Sequence, residues 1–223
     1  MLLYIVRHGE PDYNADSLVE RGFKQAEAVA KSLFKAGVNQ IYSSPLGRAI
    51  KTAEPLCRLL NKDYIIQDWA SEIAVNVECS NGDKKPVATV KNIGARDVDR
   101  QAFVSQESLD FYNYIEKEGN AFLEKLGYRY ENGNYRILYP NEDKVVLFCH
   151  GNIARVWLSS LLRVPLLTMM TSFGYEHTGV TVVHFENNKD GITAPRCLIY
   201  SDISHLYAHG PETNYNGDEK LKI

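Results

Sequence analysis

Two short apolar runs in this sequence each lead into a histidine and then a glycine. His8 follows the run 2–6 and Arg7, and His150 follows the run 144–149. A neutral imidazole is both a nucleophile and a hydrogen-bond partner, and a guanidinium presents a planar fork of donors that fits the oxygens of an anion. Brought together, these groups could bind a tetrahedral oxyanion and attack it.

The elements that must position these residues alternate between strand and helix. Short apolar runs predict strands at 2–6, 40–42, 64–66, 144–149, 180–185 and 197–200. Apolar residues at helical spacing predict helices at 18–36, from 43 to about 60, at 104–126 and at 153–162. This alternation predicts an α/β fold of three layers, with a mainly parallel sheet and helices on both faces.

The predicted fold gives the two histidines a common location. Ligands of such sheets bind beyond the carboxyl ends of the strands. His8 and His150 each stand at one of these ends. We therefore expect them to meet at one edge of the sheet although they are far apart in sequence.

One long segment departs from the alternating pattern. The stretch 80–101 is polar and aperiodic, and 127–141 is predicted to be a loop because it carries Gly, Asn and several tyrosines. The chain is accordingly read as one domain, 1–223, with an insertion or cap at about 73–143. A polar tail after His209 is expected to be loose.

Composition excludes several classes of partner. The chain of 223 residues has 25 Lys and Arg against 28 Asp and Glu, for a net charge of −3, and shows no long basic stretch. Nucleic acids and anionic membranes both require clustered cations, so neither is expected as a partner. Any anion site must be a local cluster of cations within an acidic protein.

Cysteine usage and apolar segments indicate the compartment. The four cysteines are scattered without C-x-x-C pairs, so neither a disulfide framework nor a zinc site is expected. The first residues are apolar for only six positions, which does not fit a signal peptide, and no apolar run approaches the roughly 20 residues of a membrane span. The expectation is a soluble, cytoplasmic protein.

Arg7 and His8 open a series of short motifs in a fixed order. The chain reads RHGE at 7–10 with an Asn at 14, ERG at 20–22 with QA at 25–26, SPLGRA at 44–49 with TA at 52–53, WASE at 69–72, and HG at 150–151. Each motif is weak alone. Together, in this order and at matching strand ends, they resemble the histidine phosphatase superfamily, the phosphoglycerate mutase-like proteins. The resemblance implies the fold of that family.

The resemblance also implies roles for individual residues. The family transfers a phosphoryl group through a histidine without a metal or cofactor, so the positive charge that stabilises the transferred group must come from side chains. The backbone carbonyl of Gly9 is implied as the acceptor that fixes the tautomer of the nucleophile. The implied catalytic residues are His8, Glu72 and His150, and the implied phosphate-binding residues are Arg7, Arg48, Asn14 and His150.

Glu72 is assigned by its place in the WASE motif. A carboxyl group with a raised pKa could protonate the leaving alkoxide and later deprotonate water. Asp68, Glu78 and Asp83 lie nearby and could do the same work.

Other histidines and one cysteine have weaker claims. His177 falls where the family often has Asn near the pocket, so it could contact substrate, although a plain loop residue is the simpler reading. His184 and His205 are expected to be structural. Cys149 is a strand residue beside His150, so it should point into the core.

The leading functional hypothesis is a phosphatase for a small-molecule phosphomonoester. One alternative is a phosphotransferase of the phosphoglycerate mutase type, although the basic insert expected after its catalytic Glu is not found. A minor alternative is a non-catalytic, phosphate-binding regulatory module. The oligomeric state is left open, with a homodimer among the candidates, and the segment 73–143 is expected to determine the substrate.

Overall fold

The computed structural model describes residues 1–78, 84–87 and 104–211. The strands are β1 (Leu2–Arg7), β2 (Pro11–Asp12), β3 (Ser17–Leu18), β4 (Gln40–Ser43), β5 (Ile65–Ile66), β6 (Asn76–Glu78), β7 (Lys84–Pro86), β8 (Tyr128–Glu131), β9 (Asn134–Ile137), β10 (Lys144–Cys149), β11 (Val180–His184), β12 (Ile192–Thr193) and β13 (Arg196–Asp202). The helices are α1 (Glu20–Ala36), α2 (Gly47–Leu60), α3 (Gln106–Lys125), α4 (Gly151–Leu162), α5 (Leu166–Ser172) and α6 (Ser204–His209), and a 3-10 turn covers Asp68–Ala70.

Six strands form the central sheet, in the order β13-β11-β1-β10-β4-β5. The neighbours β1 and β10, β10 and β4, and β4 and β5 pair in parallel, whereas β11 runs antiparallel to both β1 and β13. The predicted α/β fold with a mainly parallel sheet is confirmed. The sheet places β1 and β10 side by side at its centre.

Alternating side chains of the central strands enter two separate cores. Ile5, Val145 and Leu147 pack on one face with residues of α3, α4 and α5. Val6 and Val146 pack on the other face with residues of α1 and α2. Because helices cover both faces of the sheet, these strands are buried on both sides, and their sequences are therefore continuously apolar.

The described part of the segment 73–143 contributes to the larger core. Helix α3 packs against α4, and Phe122 of α3 contacts the rings of Tyr42, Trp69 and Trp157. The aperiodic stretch 80–101 lies largely outside the described residues. The tail beyond residue 211 lies outside them as well.

The prediction of a loop at 127–141 was wrong. The strands β8 and β9 form an antiparallel hairpin there, and β12 adds to it as a third strand. Asn132 and Gly133 both have positive φ, of 50° and 86°, as a two-residue hairpin turn requires. Tyr128 and Tyr135 are buried, so the tyrosines taken for loop residues anchor the hairpin to the core.

Candidate active site

The two histidine motifs meet at the carboxyl ends of β1 and β10. Arg7 pairs with Cys149 in the parallel register, and the backbone N–H of His8 donates to the Cys149 carbonyl at 2.9 Å. The residues that follow these partners, His8 and His150, therefore stand side by side. The centroids of their rings are 5.1 Å apart. The predicted convergence is thus present in the structure.

His8 is held as a neutral imidazole with a defined tautomer. Its Nδ1 lies 2.7 Å from the carbonyl oxygen of Gly9. Since a carbonyl only accepts, Nδ1 carries the proton and Nε2 keeps its lone pair. The side chain is only 1% exposed, and burial, followed by the charges of Arg7 and Arg48, lowers its pKa to about 3. A neutral ring with an unprotonated Nε2 is the form that can act as a nucleophile.

His150 is completely buried and is oriented by a serine. Its Nε2 lies 2.8 Å from Oγ of Ser44, which also accepts from the backbone N–H of Leu46. Nδ1 is buried with no hydrogen-bond partner among the described residues. Burial, and then the neighbouring His8, lowers the pKa of His150 to about 2. A neutral His150 that accepts the Ser44 hydroxyl proton at Nε2 carries its own proton on Nδ1.

Arg7 lies between the sheet and the start of α4. Its guanidinium donates to the backbone carbonyl of Tyr175, and its Nε is buried without a described partner. A Cβ built on Gly151 would lie 3.3 Å from this Nε, so the glycine after His150 leaves space for the arginine. The guanidinium therefore lies beside the amino end of α4, which itself favours anions.

Arg48 is in the first turn of α2 and is only 9% exposed. Its guanidinium donates to Oδ1 of Asp16 at 2.6 Å and lies 5.6 Å from the ring centroid of Tyr13. Its Nε is buried without a described partner. Asp16 stands in the turn between β2 and β3 and belongs to none of the recognised motifs, so no pattern in the sequence predicts this contact.

Glu72 follows the 3-10 turn and reaches the amino end of α4. Its Oε1 accepts the backbone N–H groups of Ile73 at 3.1 Å and Ile153 at 3.3 Å. Burial raises its pKa, whereas these N–H groups and Arg7 act in the opposite direction. A partly buried carboxyl whose pKa is raised, and on which the charge of Arg7 acts, suits proton transfer.

The structure describes the surroundings of one rival carboxylate, Asp68. Asp68 is exposed. Asp83 lies outside the described residues, and so does the side chain of Glu78.

Two further candidates have different locations. The ring of His177 is 5.7 Å from that of His8, and its Nε2 is buried without a partner in the described part of the chain. Burial, and then Arg7 and His8, lowers the pKa of His177 to about 2. Asn14 is instead exposed in the turn between β2 and β3, where its backbone N–H donates to Asp12. The structure brings His177 to the site and leaves the Asn14 side chain outside.

Two residues without a predicted catalytic or binding role, Thr52 and Gln25, hold the loop that follows β1. Thr52 accepts the backbone N–H of Gly9 at 2.9 Å and donates to the carbonyl of Arg48 at 2.7 Å. Gln25 accepts the backbone N–H of Glu10 at 2.8 Å. The Thr of the TA motif and the Gln of the QA motif therefore connect α2 and α1 to the loop after β1.

The remaining histidines and Cys149 have structural surroundings. His205 is buried, and its Nε2 lies 3.0 Å from Oγ1 of Thr178, whose backbone N–H bonds to the carbonyls of Arg7 and His8. His184 pairs with Leu2 at the opposite end of β1. Cys149 is buried in the larger core, and burial raises the pKa of its thiol.

The family model of the histidine phosphatase superfamily, branch 1, matches residues 3–196. The chain belongs to this superfamily. The resemblance seen in the motifs is thus confirmed, and with it the expectation of an enzyme of the phosphatase type.

Individual relatives carry two kinds of name. The chain is 28% identical over 220 residues to phosphoserine phosphatase 1 of Hydrogenobacter thermophilus, covering 93% of this chain and 97% of that protein. It is 26% identical over 179 residues to a probable phosphoglycerate mutase, GpmB, of Proteus mirabilis, covering 73% and 75%. A solved phosphoserine phosphatase of Entamoeba histolytica, in complex with 3-phosphoglyceric acid, superimposes with a TM-score of 0.63 at 21% identity, covering 92% and 98%. That structure shows the same fold.

The described residues include neither a membrane-spanning helix nor a metal-binding cluster. No helix among them is long and apolar enough to cross a membrane. The same residues contain no group of three or more His, Cys, Asp or Glu side chains arranged to hold a metal ion.

Proposed function

We propose that the chain is a phosphatase that hydrolyses a small phosphomonoester through a phosphohistidine on His8, with no metal ion taking part. The observation that carries this proposal is the state of His8: a buried, neutral ring with Nδ1 bound to the Gly9 carbonyl and Nε2 unprotonated. The centroid of this ring lies 5.1 Å from that of His150, a second buried imidazole. Of the two ring nitrogens of His8, only Nδ1 has a hydrogen-bond partner among the described residues. A nucleophile needs one of them available.

Substrate binding rests on the two arginines. A phosphomonoester dianion brings negative charge into a site where Arg7 and Arg48 are the nearest cations to His8. The guanidinium of Arg7 bonds to the Tyr175 carbonyl and that of Arg48 to Asp16, which leaves further N–H groups of each for phosphate oxygens. The Nδ1–H of His150 supplies a neutral donor. The positive charge for the transferred group therefore comes from side chains.

In the first chemical step, Nε2 of His8 attacks phosphorus, and the bond from phosphorus to the ester oxygen breaks. Glu72 gives its proton to the departing alkoxide, so an alcohol leaves and His8 carries the phosphoryl group. Burial raises the pKa of Glu72, which favours the protonated form that this step needs. The products of the step are the phosphohistidine, the alcohol and the Glu72 carboxylate.

In the second step, the Glu72 carboxylate takes a proton from water as the water oxygen attacks phosphorus. The bond from phosphorus to Nε2 breaks, inorganic phosphate forms, and both His8 and Glu72 return to their starting forms. One carboxyl thus serves as acid and then as base, as microscopic reversibility allows.

A small phosphomonoester as substrate is supported by relatives. The protein named phosphoserine phosphatase 1 matches nearly the full length of this chain. A substrate of the phosphoserine type, a three-carbon phosphate with charged groups, is therefore the first to test. The relative named probable phosphoglycerate mutase supports testing transfer to a second phosphoglycerate as well.

The proposal is tested by phosphate release from para-nitrophenyl phosphate and from phosphoserine. Wild-type protein should release phosphate, His8→Ala should release none above background, and His184→Asn should keep wild-type activity because His184 stands at the opposite end of β1. Full activity in His8→Ala contradicts the mechanism. Interconversion of phosphoglycerates without phosphate release indicates a mutase, and binding of phosphate without turnover indicates a regulatory module.

A further inference from the structure

The carboxylate of Asp16 joins two groups at the start of α2. Its Oδ2 accepts the backbone N–H of Gly47 at 2.6 Å, and its Oδ1 accepts from the guanidinium of Arg48 at 2.6 Å. The first contact satisfies one of the N–H groups that a helix leaves unpaired at its amino end. The second fixes the direction of the arginine, because both oxygens of one rigid carboxylate are engaged.

The backbone around Asp16 is built for this contact. Asp16 has a φ of 43°, a conformation that is uncommon for any residue other than glycine. A Cβ on Gly47 would lie 2.2 Å from the carbonyl oxygen of Asp16, so only glycine permits the turn to approach α2 this closely. The strained conformation of Asp16 and the absence of a side chain on Gly47 together allow the carboxylate to reach Arg48.

The charges of Arg48 and Asp16 both act on His8. The charge of Arg48 lowers the pKa of His8, whereas the charge of Asp16 raises it. Tyr13, from the same turn as Asp16, lies over the guanidinium of Arg48. Arg48 is thus bordered by the turn on one side and has its buried Nε without a described partner.

We propose that Asp16 is a positioning residue that aims the guanidinium of Arg48 at the phosphoryl group of the substrate. The inference rests on the proposed function, since it needs Arg48 to bind phosphate. Asp16 touches neither the substrate nor the reacting atoms. Its main effect on catalysis passes through Arg48, and a misplacement of about 1 Å in such a group costs on the order of 100-fold in rate.

The test compares Asp16→Ala with Asp16→Asn and with a control in the same turn. Asp16→Ala should lower kcat/KM for para-nitrophenyl phosphate by about tenfold to 100-fold. Asp16→Asn should lose less, since its amide oxygen can still accept from Gly47. Asp12→Asn should stay within about twofold, because Asp12 caps only the N–H groups of Asn14 and Ala15.

A double-mutant cycle separates positioning from a general structural effect. In an Arg48→Ala background, Asp16→Ala should change kcat/KM by less than about twofold, because the group it positions is gone. A further tenfold loss in that background overturns the inference, as does wild-type activity in Asp16→Ala. If Asp16→Ala does not fold, the same cycle with Asp16→Asn gives the answer.

The two proposals fail in different ways. Affinity for inorganic phosphate, measured by calorimetry over the same four proteins, reports the coupling of Asp16 to Arg48 without requiring turnover. A wild-type protein that binds phosphate but hydrolyses no phosphomonoester refutes the proposed function alone. Independent effects of the two substitutions on both phosphate affinity and kcat/KM refute the positioning role alone.

Discussion

Replacing Glu72 with Gln removes a proton donor and changes little else at the amino end of α4. The amide oxygen of Gln can still accept the N–H groups of Ile73 and Ile153 that now bond to Oε1. The substitution therefore keeps the shape and the hydrogen bonds but abolishes proton transfer. General acid–base catalysis contributes about 100- to 10,000-fold, so kcat should fall by this factor, or ~3–5 kcal/mol of barrier, with a much smaller change in phosphate affinity.

The choice of substrate tells which chemical step is lost. Para-nitrophenolate leaves without help from an acid, so Glu72→Gln should still form the phosphohistidine and then fail to hydrolyse it. Stopped-flow absorbance should show a burst of about one para-nitrophenol per active site followed by slow turnover. An alkyl phosphate such as phosphoserine needs the acid in the first step and should give no burst.

Asp68→Asn is the matched control for this experiment. Asp68 is a carboxylate from the same segment but is exposed, so its loss should leave kcat within about twofold. Steady turnover of Glu72→Gln at the wild-type rate, or equal losses in kcat and phosphate affinity, would refute the reasoning and assign proton transfer to another carboxylate.

Three other predictions follow from the same geometry. Ser44→Ala removes the partner of Nε2 of His150 and should lower kcat about tenfold in a phosphate-release assay. The neighbouring Ser43, whose hydroxyl donates to the Ser44 carbonyl, is the control, and Ser43→Ala should not reproduce this loss. EDTA should leave activity unchanged and added Mg²⁺ should not raise it, because Arg7 and Arg48 supply the positive charge; loss with EDTA that Mg²⁺ restores contradicts this. Burial holds the pKa of His150 at about 2, below its unfolded value near 6.5, so the unfolded state binds the proton first as pH falls. The contribution of His150 to the free energy of unfolding should therefore be full above pH 6.5 and fall below it by about 1.4 kcal/mol per pH unit. Urea titrations at several pH values should show that the free energy of unfolding of His150→Asn depends on pH with a slope shallower by that amount.

The strand ends could be predicted because their signals are local. A continuous apolar run followed by an abrupt polar residue marks a buried parallel strand, and β10 was predicted at its observed boundaries. Parallel strands then bring their carboxyl ends to one edge, so the meeting of His8 with His150 followed from the order of strands and helices. This part of the site required no knowledge of side-chain contacts.

The hairpin at β8 and β9 could not be recognised in the same way. Its turn is formed by Asn132 and Gly133, a pair typical of tight hairpins, but the Gly, Asn and Tyr residues of the stretch together favour a loop. Tyr128 and Tyr135 are strand residues because the core beneath them accepts their rings. That tertiary contact is invisible in the sequence alone.

Asp16 and Ser44 were missed as participants for a related reason. Their chemistry depends on partners that are distant in sequence: Asp16 bonds to Arg48, and Ser44 lies against His150. Such orienting contacts are set by how a turn or a helix start packs, which no local spacing encodes. Asn14 shows the converse, since it matches the family motif yet is exposed in the turn.

The most direct test is to identify the residue that carries the phosphoryl group during turnover. Glu72→Gln mixed with para-nitrophenyl phosphate and quenched in alkali should retain one phosphoryl group per chain. It should be acid-labile and located on His8 by peptide mass spectrometry, and the double variant with His8→Ala should retain none. An acid-stable phosphoester on a serine, or no covalent phosphate in a protein that still releases para-nitrophenol, would contradict the proposed mechanism.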